Sequence, residues 1–302
     1  MTTTHPTFID LFAGIGGIRL GFEQNDFKCI FSSEWDQKCQ KVYHANFHEV
    51  PQGDITKIKS SDIPSHDVLC AGFPCQPFSI SGKQKGLTDE RSNVLFSLLR
   101  IIKDKKPKVV LLENVKHLIH LNDKSIFNFI LKSLEDLGYN VSWRVLNASN
   151  FEIPQNRDRV IVIASKKKFD FDKINSKKSK SLSSFLDKKA GFEFLDEPYT
   201  LIPNPIRQKS GLIFVGYRNK KIRTIGVRPN TEHLNRTHRQ PNRIYSIEGY
   251  HPTLPSQETS GRFFIYDESV GAFTVYSCPK IDTRAKISLL SIVKSYLKVL
   301  VP

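Results

Sequence analysis

The sequence predicts an α/β fold: a mostly parallel, doubly wound sheet carrying a smaller, irregular, β-rich domain. Three observations lead there. Short apolar runs alternate with amphipathic stretches over the first two-thirds of the chain. Helical periodicity then stops near Lys166, where lysine and serine take over. Beyond that, prolines, scattered aromatics and basic residues dominate.

The strands are expected at Thr7–Phe12, Lys28–Ser33, Asp67–Ala71, Val109–Glu113, Val141–Leu146 and Arg159–Ala164. Helices are expected between them. Asn93–Lys103 has apolar residues at 94, 95, 98, 99, 101 and 102, and Ser125–Leu137 has Ile126, Phe129, Ile130, Leu134 and Leu137. Strands alternating with such helices imply a sheet covered on both faces. The predicted domains are 1–181, a catalytic and cofactor-binding unit, and 182–268, the β-rich unit. The tail, 269–302, holds an amphipathic helix over Ile287–Val299, expected to pack on the larger domain.

Composition narrows the partners. A net charge of +15 favours a polyanion, DNA or RNA above all, over a merely basic surface. Apolar runs long enough for a membrane span and a signal-peptide core are both missing from the pattern, so an intracellular, cytoplasmic protein is expected. Five cysteines without a CxxC pair point to free thiols and to no metal site.

The first strand runs into a glycine turn and a helix, "FIDLFAGIGGIRLGF" (Phe8–Phe22). Gly14, Gly16 and Gly17 let backbone approach a ligand. The spacing is not GxGxxG, which disfavours a dinucleotide. Glu34, ending the second strand, is placed to take a ribose diol. Trp35 beside it can lie against a purine. Asp54 is expected at the end of a further strand, ready to accept from an exocyclic amine. Such a set suits a nucleoside with a small charged group, such as S-adenosylmethionine, better than NAD.

"GFPCQPFS" (Gly72–Ser79) follows the Asp67–Ala71 strand and holds Cys75 between two prolines. Taken alone, Cys75 reads as a buried thiol. Two later features change that. Glu113 stands directly after "VVLL", and "QNRDR" (Gln155–Arg159) precedes another strand. Strand ends on one sheet edge converge, so a thiol, a carboxyl and two arginines would share a cleft. That set fits methylation of cytosine. A thiolate adding to carbon 6 makes carbon 5 nucleophilic, Glu113 steadies the charge at ring nitrogen 3, and the arginines favour the thiolate.

With "DLFAGIGG", "EW", "GDI", "GFPCQPFS", "ENV" and "QNRDR" in this order, the chain closely resembles the bacterial DNA (cytosine-5)-methyltransferases of restriction-modification systems. The resemblance covers about Phe8 to Ala164. It implies the mixed, mostly parallel sheet of S-adenosylmethionine-dependent methyltransferases and a target-recognition domain. It further implies Cys75 as nucleophile, Glu113 as base-binding acid, and Arg157 and Arg159 as support for base and thiol. Phe12, Gly14, Ile15, Gly16, Glu34, Trp35, Asp54, Ile55, Pro74 and Leu95 match cofactor positions. Ser79–Asn93 matches a loop that closes over DNA, with Ser79, Ser81, Lys83 and Arg91 as contacts. Arg236, Arg239, Asn242 and Arg243 are groove or phosphate candidates in the second domain. The expected partner is double-stranded DNA with a flipped cytosine, acted on by a monomer. A cognate restriction endonuclease would be a functional partner.

The resemblance fades after "GRFFIYDE" (Gly261–Glu268). A tail altered by frameshift or truncation would leave an impaired enzyme. A complementing C-terminal polypeptide would make this one part of a split enzyme. An inactive DNA-binding form and an RNA (tRNA) cytosine methyltransferase are the alternative functions.

Overall fold

The computed structural model describes residues 5–74, 93–185, 193–194, 199–218, 242–253, 264–267 and 275–277. The chain divides into two compact units. Among the described residues, the first comprises 5–147 and 158–176, and the second 148–157 and those from 177 onward. Residues 148–157 and 177–181, grouped by sequence with the larger domain, thus pack with the second unit.

The first unit begins with β1 (Thr7–Leu11), α1 (Gly17–Glu23), β2 (Lys28–Ser33) and α2 (Gln37–Phe47). It continues with β3 (Val68–Ala71), α3 (Asn93–Lys105), β4 (Val109–Val115), α4 (Ser125–Asp136) and β5 (Asn140–Asn147). After β6 (Gln155–Asn156), which belongs to the second unit, β7 (Asp158–Ser165) completes the sheet. The order is β2-β1-β3-β4-β7-β5. β2, β1, β3 and β4 are parallel, whereas β7 runs antiparallel between β4 and β5. The six predicted strands all form, each within two residues of its expected limits.

Helices cover both faces, which is why β3 is buried along its whole length and β1 at every residue but its first. On one face Leu95, Leu98, Ile101 and Ile102 of α3 and Ile126, Phe127, Ile130 and Leu134 of α4 pack on Ile9, Leu11, Leu69, Val110, Leu112 and Val162. Their i, i+3, i+4 spacing presents one apolar stripe per helix. On the other face, Phe22 of α1 stacks on Phe8 with ring centroids 4.9 Å apart.

That second face also holds a carboxylate. Asp10 is fully buried, and its carboxyl makes no well-formed hydrogen bond, although the Arg19 backbone N–H faces it. Burial pushes its pKa up to about 7, against the pull of Arg19.

The second unit carries β8 (Glu193–Phe194), β9 (Tyr199–Arg207), β10 (Ile213–Arg218), β11 (Arg243–Ser246), β12 (His251–Pro252), β13 (Phe264–Tyr266) and β14 (Val275–Ser277). Its main sheet has the order β8-β14-β13-β11-β10-β9, and β12 pairs with β6 separately. Ile213, Val215 and Ile244 form one small core, and Leu212, Phe214 and Tyr245 another. β9 lies at the sheet edge and tolerates Pro203 and Pro205, which cannot donate to a ladder. β14 falls in the stretch assigned by sequence to the divergent tail, while the helix expected at Ile287–Val299 lies outside the described residues. Among the described residues no helix is long and apolar enough to cross a membrane.

The buried Asp10 predicts a pH-dependent stability. Its folded pKa of about 7 exceeds the ordinary 3.8, so between those values the folded state binds the extra proton. Stability should be fullest below the lower value and fall as pH rises towards the upper one. Relative to Asp10→Asn, the wild-type unfolding free energy should drop by about 1.4 kcal/mol per pH unit across that window. Urea titrations at several pH values measure this. A constant difference would mean that Asp10 stays ionised throughout.

Candidate functional site

At the end of β1 the backbone turns sharply. Phe12, Gly14 and Gly16 all adopt left-handed φ values, 57°, 56° and 87°. Glycine does so freely, whereas Phe12 is strained there. At Gly16 a Cβ would also run into the Phe47 ring, so the turn closes over that ring. At Gly14 a Cβ would have no described atom within 4 Å, which leaves the loop open on that side.

Glu34 faces this loop from the end of β2. One carboxylate oxygen accepts from the Gly14 N–H at 2.7 Å and the other from the Asp36 N–H at 2.8 Å. Its own N–H donates to the Gln52 carbonyl at 2.8 Å. Glu34 is therefore a structural clasp on the glycine loop, in addition to the role its sequence position suggests. Asp36 next caps α2 by accepting from the Lys38 and Cys39 N–H groups. Trp35, between them, is 74% exposed.

The strand expected before Asp54 does not form, and a single bridge between Ser33 and Gln52 stands in its place. Asp54 instead caps the short turn Ile55–Lys57, accepting from the Thr56 N–H at 3.0 Å and its hydroxyl at 2.8 Å. "GDIT" is thus a capped turn, because an Asp two residues before Thr satisfies local donors more readily than a ladder does. Ile55 and Leu95 are both buried in the main core.

The second cluster lies where β3 and β4 end. The Gly72 N–H donates to the Leu11 carbonyl at 3.4 Å, which ties this exit to the glycine loop's own strand. Phe73 is buried and Pro74 exposed. Cys75 itself lies outside the described residues, as do Ser79, Ser81, Lys83, Arg91, Arg236 and Arg239. Glu113 projects towards Gly72: its Oε2 is 3.5 Å from where a Gly72 Cβ would be. Its Oε1 pairs with Arg159 Nε at 2.8 Å, and both side chains are mostly buried, at 23% and 13% exposure.

This pair follows from topology. β7 is antiparallel to β4, so its first residues lie beside β4's last, with Val115 opposite Arg159 and Glu113 opposite Ile161. Arg157, expected in the same cleft, belongs to the second unit, where its carbonyl accepts from the Ala148 N–H at 3.1 Å. Residues 148–157 group with the second unit and Asp158 onward with the first, so the boundary falls between the two arginines in sequence. Arg243 begins β11, half-buried, opposite Tyr217.

Asn114 escaped the sequence analysis. It is buried, and its Nδ2 donates to the Phe73 carbonyl at 2.9 Å while its Oδ1 accepts from the Val115 N–H at 2.9 Å. Its amide thus pins the backbone two residues before Cys75 in sequence. The signal was a polar residue after "VVLLE", masked by the more conspicuous glutamate. Metal-binding clusters of His, Cys, Asp or Glu are absent among the described residues.

A family model for C-5 cytosine-specific DNA methylase matches residues 6–284, running past Glu268, where the motif-level resemblance fades. The chain is 56% identical over 157 residues to the Type II methyltransferase M.BsuFI of Bacillus subtilis, covering 52% of this chain and 38% of that protein. It is 44% identical over 179 residues to the Type II methyltransferase M.HhaI of Haemophilus parahaemolyticus, covering 59% and 55%. With the Type II methyltransferase M.DsaV of Dactylococcopsis salina it shares 42% over 220 residues, covering 71% and 59%. The chain therefore spans less than two-thirds of the length of these relatives. Among solved structures, the Entamoeba histolytica methyltransferase EhMeth superposes with a TM-score of 0.55 at 25% identity, over 67% of this chain and 64% of that one. The S. pombe Dnmt2 methyltransferase superposes with a TM-score of 0.63 over 98% of each chain, and at 16% identity that likeness concerns the fold alone.

The glycine loop makes a direct prediction. Gly16→Ala meets both an unfavourable φ and the Phe47 ring, and should cost about 1–3 kcal/mol of stability. Adding Phe47→Ala should relieve the clash but leave the backbone strain, so thermal melts of the double variant should show less than additive loss. Strict additivity would mean that the ring moves aside freely.

Proposed function

Because the chain belongs to the C-5 cytosine-specific DNA methylase family, we propose that it transfers a methyl group from S-adenosylmethionine to carbon 5 of cytosine in a specific duplex DNA sequence. The observation that carries this reading is the Glu113–Arg159 pair beside Gly72, which precedes Cys75 closely in sequence.

The residues around the glycine loop fit the methyl donor. The open side of Gly14, the exposed Trp35 and the acid Glu34 together suit a purine nucleoside. Phe12–Gly16, Glu34 and Trp35 would hold S-adenosylmethionine, which supplies a methyl group on a positively charged sulfur. The remaining work falls to the chain. Cys75, as thiolate, forms a bond to carbon 6 of a cytosine turned out of the helix. Glu113 hydrogen-bonds the base at ring nitrogen 3, and Arg159 holds the Glu113 carboxyl in orientation. Carbon 5 takes the methyl group as the donor's sulfur–carbon bond breaks. Loss of the carbon-5 proton then expels the thiolate and restores the aromatic ring. The Type II names of the relatives support a role in protecting DNA from a cognate endonuclease, and the charge of +15 supports a polyanionic substrate.

The test is methyl transfer from labelled S-adenosylmethionine to mixed-sequence duplex DNA, with tRNA as a parallel acceptor. Duplex DNA should be labelled. Cys75→Ser should abolish labelling and the covalent adduct with 5-fluorocytosine DNA. Glu113→Gln should lower turnover by about 10²–10⁴-fold. Labelling of tRNA alone would move the substrate to RNA. Binding of both ligands without an adduct would make the chain a DNA-binding protein only.

A further inference from the structure

Arg19 is a charged residue on a seven-residue helix, and it is only 8% exposed. Its guanidinium uses several faces at once. Nε pairs with Glu23 at 2.7 Å on its own helix. Nη1 donates to Glu49 at 2.7 Å and to the Tyr43 hydroxyl at 3.1 Å. The planar group also lies over the Phe47 ring, 4.5 Å from its centroid, and over Tyr43 at 5.4 Å. One side chain thus fastens α1 to α2 and to the segment that follows it.

Those fastened groups are the ones that shape the glycine loop. Phe47 fills the space against Gly16. Asn46, its neighbour on α2, donates to the Ile15 carbonyl at 3.1 Å. Glu49 uses its other oxygen to accept from the Ser32 hydroxyl at 3.1 Å, on the strand that ends just before Glu34. The loop's floor and the acid that clasps it therefore both trace back to Arg19. A lysine could supply the charge, but not the fork that reaches Glu23, Glu49 and Tyr43 together with a flat face for Phe47.

We propose that Arg19 is the positioning residue of the cofactor loop: it sets the Phe12–Gly16 conformation through Phe47 and Glu49, so that methyl-donor affinity depends on a side chain buried beneath the site. This rests on the reading that the loop binds S-adenosylmethionine.

The experiment compares the full chain with Arg19→Lys, Arg19→Met and Phe47→Leu. Circular dichroism establishes which are folded at the assay temperature. Calorimetry then measures S-adenosylmethionine affinity, and fluorescence anisotropy measures DNA affinity. Each folded variant should bind S-adenosylmethionine about tenfold more weakly or worse, with DNA affinity within about twofold of wild type. Where turnover is measurable, KM for S-adenosylmethionine should rise while kcat at saturation changes little. Phe47→Leu leaves every ion pair of Arg19 in place, so it tests the loop contact even if the Arg19 variants do not fold. Folded variants that keep wild-type affinity for S-adenosylmethionine would overturn the proposal, as would equal losses for both ligands. A wild-type chain that binds no S-adenosylmethionine would overturn the cofactor reading and this inference with it, an outcome visible before any variant is made.

Discussion

The antiparallel insertion of β7 between β4 and β5 is the constraint on which the candidate site rests. In an all-parallel sheet, the residue that starts a strand lies at the edge opposite the residue that ends its neighbour. Reversing one strand puts Arg159 beside Glu113. Most of both side chains is buried, where an unpaired carboxylate would be costly and a charge-assisted bond is strong. The pair therefore holds a carboxyl in one orientation at the sheet edge where β3 also ends. Asn114 adds to this by pinning the Phe73 carbonyl, so the approach to Cys75 is tied to the same strand.

Around the glycine loop the same economy of buried polar groups recurs. Glu34 satisfies two backbone donors, and Arg19 satisfies two carboxylates and a phenol. Asp10 is the exception, a buried acid without a well-formed hydrogen bond, its pKa raised by desolvation and only partly held back by the Arg19 charge and backbone N–H. A sheet covered on both faces leaves little water to solvate such a group. The cluster behind the loop is thus a scaffold that also holds an acid readier to take up a proton than an exposed one.

Much of this was legible in sequence. β-branched and aliphatic runs of four to eight residues revealed the six strands of the first unit, and the stripes at 94–102 and 126–134 revealed α3 and α4, because burial on one or two faces imposes a pattern on the chain. Glu113 stood out because a carboxyl directly after "VVLL" has to be paired or capped. Asp54 misled because an acid ahead of a threonine looks alike whether it ends a strand or caps a turn. Asn114 and Arg19 were passed over because their importance lies in contacts 41 and up to 30 residues distant, which local pattern does not encode.

By itself, then, the sequence determined the layered α/β class, the order of the motifs, and the chemical character of the groups available: a thiol, an acid, arginines and a glycine loop. Those follow from local rules, periodicity and residue chemistry. Only the tertiary structure decided which groups meet. The direction of β7 selected Arg159 as Glu113's partner, and the packing of α2 under the loop gave Arg19 its place. Both are long-range choices, made where burying apolar faces forces distant polar groups to satisfy one another away from water.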